Sequence, residues 1–156
     1  MRSGARLGVD VGRARIGVAR SDAAGSMAFP VETVPRSRGS ADADLVALEG
    51  HVREHEAVEV VVGLPLSLSG ADTPSTQDAR DFALRIAERT GVPVRLVDER
   101  LSTVSAQGAL RASGRSSRQQ RSVVDQVAAV IILQQALDQE RSSGRPPGHL
   151  VTPDGA

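Results

Sequence analysis

The sequence predicts an α/β domain whose sheet is mixed, antiparallel on one side and parallel on the other. Three observations carry that expectation. Residues 6–34 hold three short apolar runs with no room for a helix between them. After them, helix-period segments alternate with apolar runs, which is the order of crossover units. The runs at 58–62 and 94–97 are almost unbroken in apolar side chains, as parallel strands buried on both faces are.

Residues 6–11 read as the first strand, and Gly12 opens a turn. Residues 15–20 alternate well enough for the second strand of a hairpin. Residues 27–34 read as a third strand, which Pro30 moves towards a sheet edge. Residues 40–56 are helical, with Leu45, Leu48 and Val52 as the inner stripe. Residues 58–62 form a short strand that empties into the loop Gly63 to Gly70. Pro74 and Ser75 start the next helix, with Asp78 closing a capping-box pattern, and Thr90-Gly91 stops it. Residues 94–97 are another buried strand. Ser102 or Thr103 caps a helix to about Ala112, and 113–121 read as a polar, basic loop. Ser122 starts the last helix, which ends near Arg141. Residues 142–156, rich in Ser, Gly and Pro, read as a disordered tail, leaving residues 1–141 as one domain. No internal repeat is visible.

A chain of 156 residues, 40% hydrophobic and 24% charged, is long enough to bury one core. The absence of cysteine excludes disulfides, a thiol nucleophile and a Cys-based zinc site. Residues 1–5 lack the apolar core of a signal peptide, and the apolar run at 127–133 is far too short to span a bilayer. The expected location is the cytoplasm. Net charge is zero and all 19 basic residues are arginine, a bias best read as GC-rich coding. The charge is nevertheless uneven. Between 100 and 124 lie Arg100, Arg111, Arg115, Arg118 and Arg121 with no acid, a block able to attract phosphates or simply a solvated loop. Phe29 and Phe82 are the only aromatics besides histidine, which excludes a base-stacking platform. Any nucleic acid would be held by backbone and shape.

Three carboxylates stand in apolar company: Asp10 in the first strand, Glu99 at the end of a later one, and Asp125 beside Val124, Ala128, Ala129 and Ile132. Such groups cost free energy unless a positive charge compensates, and divalent ions are a common compensator. Each has a plain alternative. Asp10 could merely begin a turn, although Gly12 permits close approach of a ligand. Asp98 and Glu99 could both be solvated, and alternation allows only one of them to face a site. Asp125 could close a capping box with Ser122. His51-Val52-Arg53-Glu54-His55 matches the helical pattern of an inverted zinc protease. Short patterns arise by chance, no downstream acidic ligand stands out, and both histidines flank the inner stripe as exposed residues commonly do. No serine–histidine–acid triad is arguable, and without lysine there is no P-loop.

Read in order, Leu7-Gly8-Val9-Asp10-Val11-Gly12 with Arg15-Ile16-Gly17-Val18-Ala19, then Val61-Val62-Gly63-Leu64-Pro65 and Gly70, then Asp98-Glu99-Arg100-Leu101-Ser102-Thr103, then Asp125-Gln126-Val127-Ala128-Ala129 with Ile132-Leu133-Gln134, closely resemble the YqgF family, also called RuvX. The match spans about residues 6–138. Members are described as pre-16S rRNA nucleases and as Holliday-junction-resolvase-like proteins. The resemblance implies a ribonuclease-H-like fold with a five-stranded mixed sheet, its first three strands antiparallel. It also implies that Asp10, Glu99 and Asp125 match the family's acidic positions, selecting Glu99 over Asp98.

The expectation is a metal-dependent endonuclease of the cytoplasm acting in 5′-end maturation of pre-16S rRNA. Asp10, Glu99 and Asp125 would hold one or two Mg²⁺ or Mn²⁺ ions, which favour oxygen donors. Arg13, Arg15 and Arg100 would grip phosphates near the cut, and Arg111, Arg115, Arg118 and Arg121 would hold the backbone further out. The partner would be nucleic acid, pre-rRNA or branched DNA, with a ribosomal precursor particle as a further partner. A resolvase of four-way DNA junctions is one alternative, and a non-catalytic RNA-binding assembly factor is another. The Asp10-x-Gly12 turn also resembles the phosphate loop of actin-like ATPases, but 156 residues leave no room for their second domain.

Overall fold

The computed structural model describes residues 2–37, 41–67, 69–98 and 117–151, with 117–124 as backbone only. The strands are β1 (Arg6–Val11), β2 (Arg15–Ser21), β3 (Ala28–Pro35), β4 (Glu59–Leu64), β5 (Val94–Asp98) and β6 (His149–Leu150). The helices are α1 (Ala43–Glu54), α2 (Pro74–Thr90) and α3 (Ser117–Ser143). Among the described residues the sheet has six strands in the order β3-β2-β1-β4-β5-β6. The β1–β2 and β2–β3 pairs are antiparallel, and β1–β4 and β4–β5 are parallel. The mixed sheet is therefore as expected, with β3 and its Pro30 on the edge.

The strand alternation sorts two hydrophobic layers. Leu7, Val9, Ile16, Val18, Val60, Val62, Val94 and Leu96 face one side and pack with Leu48 and Val52 of α1 and Phe82 and Ile86 of α2. Ala19 and Val61 face the other side and meet Ala129, Ile132, Leu133 and Ala136 of α3. Leu137 completes that second layer. Small residues in the strands let α3 lie close. A Cβ at Gly8 would sit 2.7 Å from the Leu133 Cβ and 2.9 Å from the Ala129 carbonyl oxygen.

Polar contacts fix the register of α3. Near its C-terminal end, buried Glu140 accepts from Arg6 Nη2 at 3.2 Å and from the Arg2 backbone N–H at 3.1 Å. Arg2 and Arg95 also donate to buried Glu59, at 3.0 and 2.9 Å. Along the helix, Gln134 accepts from the Ala28 N–H at 2.9 Å, and Gln126 donates to Thr33 at 3.1 Å. The two glutamines of the last motif thus pin α3 to β3.

Four expectations change. The sheet gains a sixth strand, because residues 142–151 carry the last turn of α3 and then β6 rather than a tail. Pro146-Pro147-Gly148 turns the chain back along β5, whose edge would otherwise be open. Gly148 has φ 62°, and the Val151 N–H donates to the Val94 carbonyl at 2.8 Å. Residues 152–156 lie outside the described residues. Secondly, α2 starts at Pro74 as expected, but its capping box lies two residues earlier than the Ser75–Asp78 pattern: Thr73 and Thr76 form the reciprocal box, and Asp78 pairs instead with Arg36. Thirdly, α3 begins at Ser117, so 117–121 are helical, not loop. Asp125 therefore stands in the third turn and is no cap. Fourthly, His51 is mostly buried, with its side chain 13% exposed. The helix expected over 102–112 lies outside the described residues.

Candidate active site

Asp10 is the next-to-last residue of β1, where the parallel strands β1 and β4 deliver their carboxyl ends. Functional groups of open α/β sheets gather at such ends. In register, Asp10 lies opposite Gly17 of β2. Directly opposed residues of an antiparallel pair project to the same face. That face is settled by Gly8 and Gly17, for a Cβ built on either would run into α3. At Gly17 it would overlap the Asp125 carbonyl oxygen and lie 3.1 Å from the Asp125 Cα. Asp10 and the turn of α3 that carries Asp125 thus meet across a glycine. Only a residue without a side chain permits that closeness, so Gly17 is part of the site. Sequence reading missed its role, and the one trace of it is a glycine inside a strand pattern.

Both carboxylates are half-buried. Asp125 accepts from Arg15 Nε at 2.7 Å, with its own side chain 15% exposed and that of Arg15 37%. Arg15 supplies the positive charge that a carboxylate in this position needs. Sequence reading gave Arg15 to phosphate alone, whereas its guanidinium already lies on a site carboxylate.

The turn between β1 and β2 is held from outside. The Gly12 N–H donates to the Arg15 carbonyl at 2.9 Å, and a Cβ at Gly12 would stand 2.7 Å from that same oxygen. Arg36 Nη1 donates to the Gly12 carbonyl at 2.8 Å and to Asp78 at 2.8 Å. Its guanidinium also lies 4.9 Å from the centre of the Phe82 ring. The Arg36 hydrogen bond is the main reason the Asp78 carboxyl is held below the usual carboxylate range, with the Arg36, Arg85 and Arg13 charges adding to it. Arg36 is the second residue that sequence reading missed, since nothing in its spacing points to the turn. Arg13 is exposed and shares a surface cavity of about 360 Å³ with Ala14, Arg36 and Ser37.

On β5, Val94 and Leu96 face α1 and α2, and Val97 packs with the α3 layer. By alternation Asp98, the exposed last residue of β5, follows Val94 and Leu96. Glu99, Arg100, Arg111 and Arg115 lie outside the described residues. Arg118 and Arg121 lie on α3, their side chains outside the description.

The donors in hand are carboxylate oxygens, which fit Mg²⁺ or Mn²⁺ and not a metal that prefers nitrogen or sulfur. Arg15 against Asp125 marks a place where a cation offsets carboxylate charge, which a divalent ion would do more strongly.

The profile of the family described as "RuvX: Holliday junction resolvase" matches residues 4–139. A protein of Clavibacter michiganensis subsp. michiganensis named "Putative pre-16S rRNA nuclease" is 64% identical over 151 residues, 97% of this chain and 93% of that one. Relatives of the same name from Leifsonia xyli subsp. xyli and Streptomyces coelicolor are 58% and 57% identical, covering 98% and 97% of this chain and 97% and 90% of their own. Among solved structures, Thermus thermophilus RuvC in complex with a Holliday junction substrate superposes with a TM-score of 0.59 at 15% identity, over 92% of this chain and 99% of that one. That likeness establishes the ribonuclease-H-like fold. On these matches the chain belongs to the RuvX family.

Proposed function

We propose that this protein is a metal-dependent endonuclease that hydrolyses phosphodiesters of nucleic acid, acting on the 5′ end of pre-16S rRNA. The observation that carries the reading is the meeting of Asp10 and Asp125 across Gly17. Asp10 stands opposite Gly17 at a strand end, the Asp125 backbone lies against that glycine, and the Asp125 carboxylate carries an arginine. The choice of pre-16S rRNA rests on the names of relatives at 57–64% identity.

Asp10, Asp125 and, as the family resemblance implies, Glu99 would hold the metal. One or two divalent ions bound there supply activation of water and stabilisation of the leaving 3′ oxygen. The protein's own part is placement and charge. Gly17 sets the separation of the two acids, and Arg36 fixes the turn that follows Asp10. Arg15, partly exposed and now paired with Asp125, would pair with a phosphate oxygen when that carboxylate serves as a metal ligand. Arg13 meets the neighbouring phosphate from the cavity it shares with Arg36. Positions 118, 121 and 125 follow one helical stripe by spacing, so Arg118 and Arg121 extend the basic track from Asp125. Arg100, Arg111 and Arg115 belong to the same basic block of the sequence.

The family description favours a second substrate, the four-way DNA junction. One assay separates them. Wild type and Asp10→Asn are each given a 5′-extended 16S rRNA precursor, free and in a precursor particle, and a four-way DNA junction, with Mn²⁺ or EDTA. Metal-dependent cutting of RNA alone, lost in Asp10→Asn while the fold is kept, is the expected result. Cutting of the junction alone replaces the substrate. Binding of RNA without cutting supports an assembly factor, and full activity of Asp10→Asn refutes the mechanism.

A further inference from the structure

The geometry points to a second metal site, for zinc or a similar nitrogen-preferring ion, built by His51 and Glu54 on the last turn of α1 and His55 at its C-cap. Among the described residues this is the one group of three potential metal-ligand side chains that converges, with the donor atoms all within 4.8 Å of one another. The spacing i, i+3, i+4 puts all three on one helical face. The two imidazoles lie nearly parallel, 15° between planes and 6.0 Å between centroids. Tetrahedral zinc with ligands at about 2.0–2.1 Å brings its donors to roughly 3.3 Å from each other. The most distant donors therefore close by about 1.5 Å when the ion binds.

Two further features favour a metal over an ordinary helix surface. The His51 Nδ1 atom is buried and has no hydrogen-bond partner. It faces the Glu54 carboxylate at 3.9 Å. Meanwhile His51 Nε2 contacts the carboxylate of Glu32 on β3. A ligating imidazole characteristically donates its second N–H to a carboxylate, which fixes the tautomer and raises the basicity of the ligating nitrogen. With Nε2–H donating to Glu32, Nδ1 is left as an acceptor 3.9 Å from the Glu54 carboxylate. A cation there relieves the repulsion and satisfies the buried atom at once.

The site is distinct from the proposed active centre. The end of α1 leads directly into the start of β4, whereas Asp10 lies where β1 and β4 finish. Their donors differ too, since imidazole selects zinc-like ions and an all-oxygen set selects Mg²⁺ or Mn²⁺. The peptidase pattern in the sequence thus marks a binding site that joins α1, through His51 and Glu32, to the edge strand β3. Its product is stability of that edge.

The chain has three histidines, so ring NMR signals resolve the question. Metal-free full-length protein is titrated with Zn²⁺ alone, in millimolar Mg²⁺ and in the Asp10→Asn background to silence the carboxylate site. The expected result is saturation at one equivalent, with the signals of His51 and His55 shifted and that of His149 unmoved. The thermal midpoint rises in parallel. Glu32→Gln, which touches no metal, weakens Zn²⁺ affinity by about 10–100-fold. His55→Gln weakens it at least as much and abolishes the thermal shift. Zinc affinity unchanged in His55→Gln overturns the proposal. So does an imidazolium at His51 bridging Glu32 and Glu54 with no zinc response.

Discussion

Replacing Gly17 by alanine tests the geometry of the site with a single methyl group. In the native chain that methyl would lie 3.1 Å from the Asp125 Cα and would overlap its carbonyl oxygen. Carbon atoms in ordinary contact stand about 3.5–4.0 Å apart, so α3 must retreat from β2 by roughly 1 Å or more at this turn. Overpacking of that kind costs about 1–3 kcal/mol of stability. A displacement near 1 Å at reacting groups costs roughly 100-fold in rate, because Asp125 leaves Asp10. The assay pairs urea unfolding with Mn²⁺ affinity and single-turnover cleavage of the substrate found for wild type. Gly8→Ala is the control. It also presses on α3, 2.7 Å from the Leu133 Cβ, but about two turns from Asp125. Both variants should lose similar stability, and only Gly17→Ala should lose most of its metal affinity and rate. Native affinity and rate in Gly17→Ala would refute the placement of Asp125 beside Asp10. Equal loss of rate in Gly8→Ala would refute its local origin.

Other perturbations address the charges. Glu140→Gln strips the carboxylate from buried Arg6 and should cost about 3 kcal/mol, read by urea unfolding. Burial pushes the Glu140 carboxyl up, but the hydrogen bonds and charge of Arg2, with Arg6, outweigh it and hold it below the usual range. Its contribution is therefore complete above the unfolded value of about 4.3 and lost as pH falls through the depressed native value. The thermal midpoint of wild type should fall on that acid limb, more steeply than that of Glu140→Gln. Arg15→Gln should tighten Mn²⁺ binding, since no guanidinium competes for Asp125, while weakening substrate binding; calorimetry and filter binding read the two effects. Removing Arg115 and Arg118 together should weaken nucleic-acid binding at low salt and lower the slope of log affinity against log salt by about 2. An unchanged slope would return that segment to a solvated surface.

The sequence alone determined the elements whose cause is local. Apolar alternation wrote β1 and β2, unbroken apolar runs wrote β4 and β5, and the stripe of Leu45, Leu48 and Val52 wrote α1. It also supplied the chemistry of the site, because acids in apolar company are visible as residue types before any fold exists. The resemblance to a family then implied which acids belong together. Tertiary structure decided what depends on residues distant in the chain. The meeting of Asp10 with Asp125 is created by strand register and by a glycine under a helix, neither of which leaves a periodic trace. The pairing of Arg15 with Asp125, and the hold of Arg36 on the Gly12 turn, arise from groups that spacing never relates. The β6 strand likewise forms only because β5 offers an edge, although the composition of residues 142–156 reads as a tail. Local energetics are written in neighbours along the chain, whereas a site is written in neighbours in space.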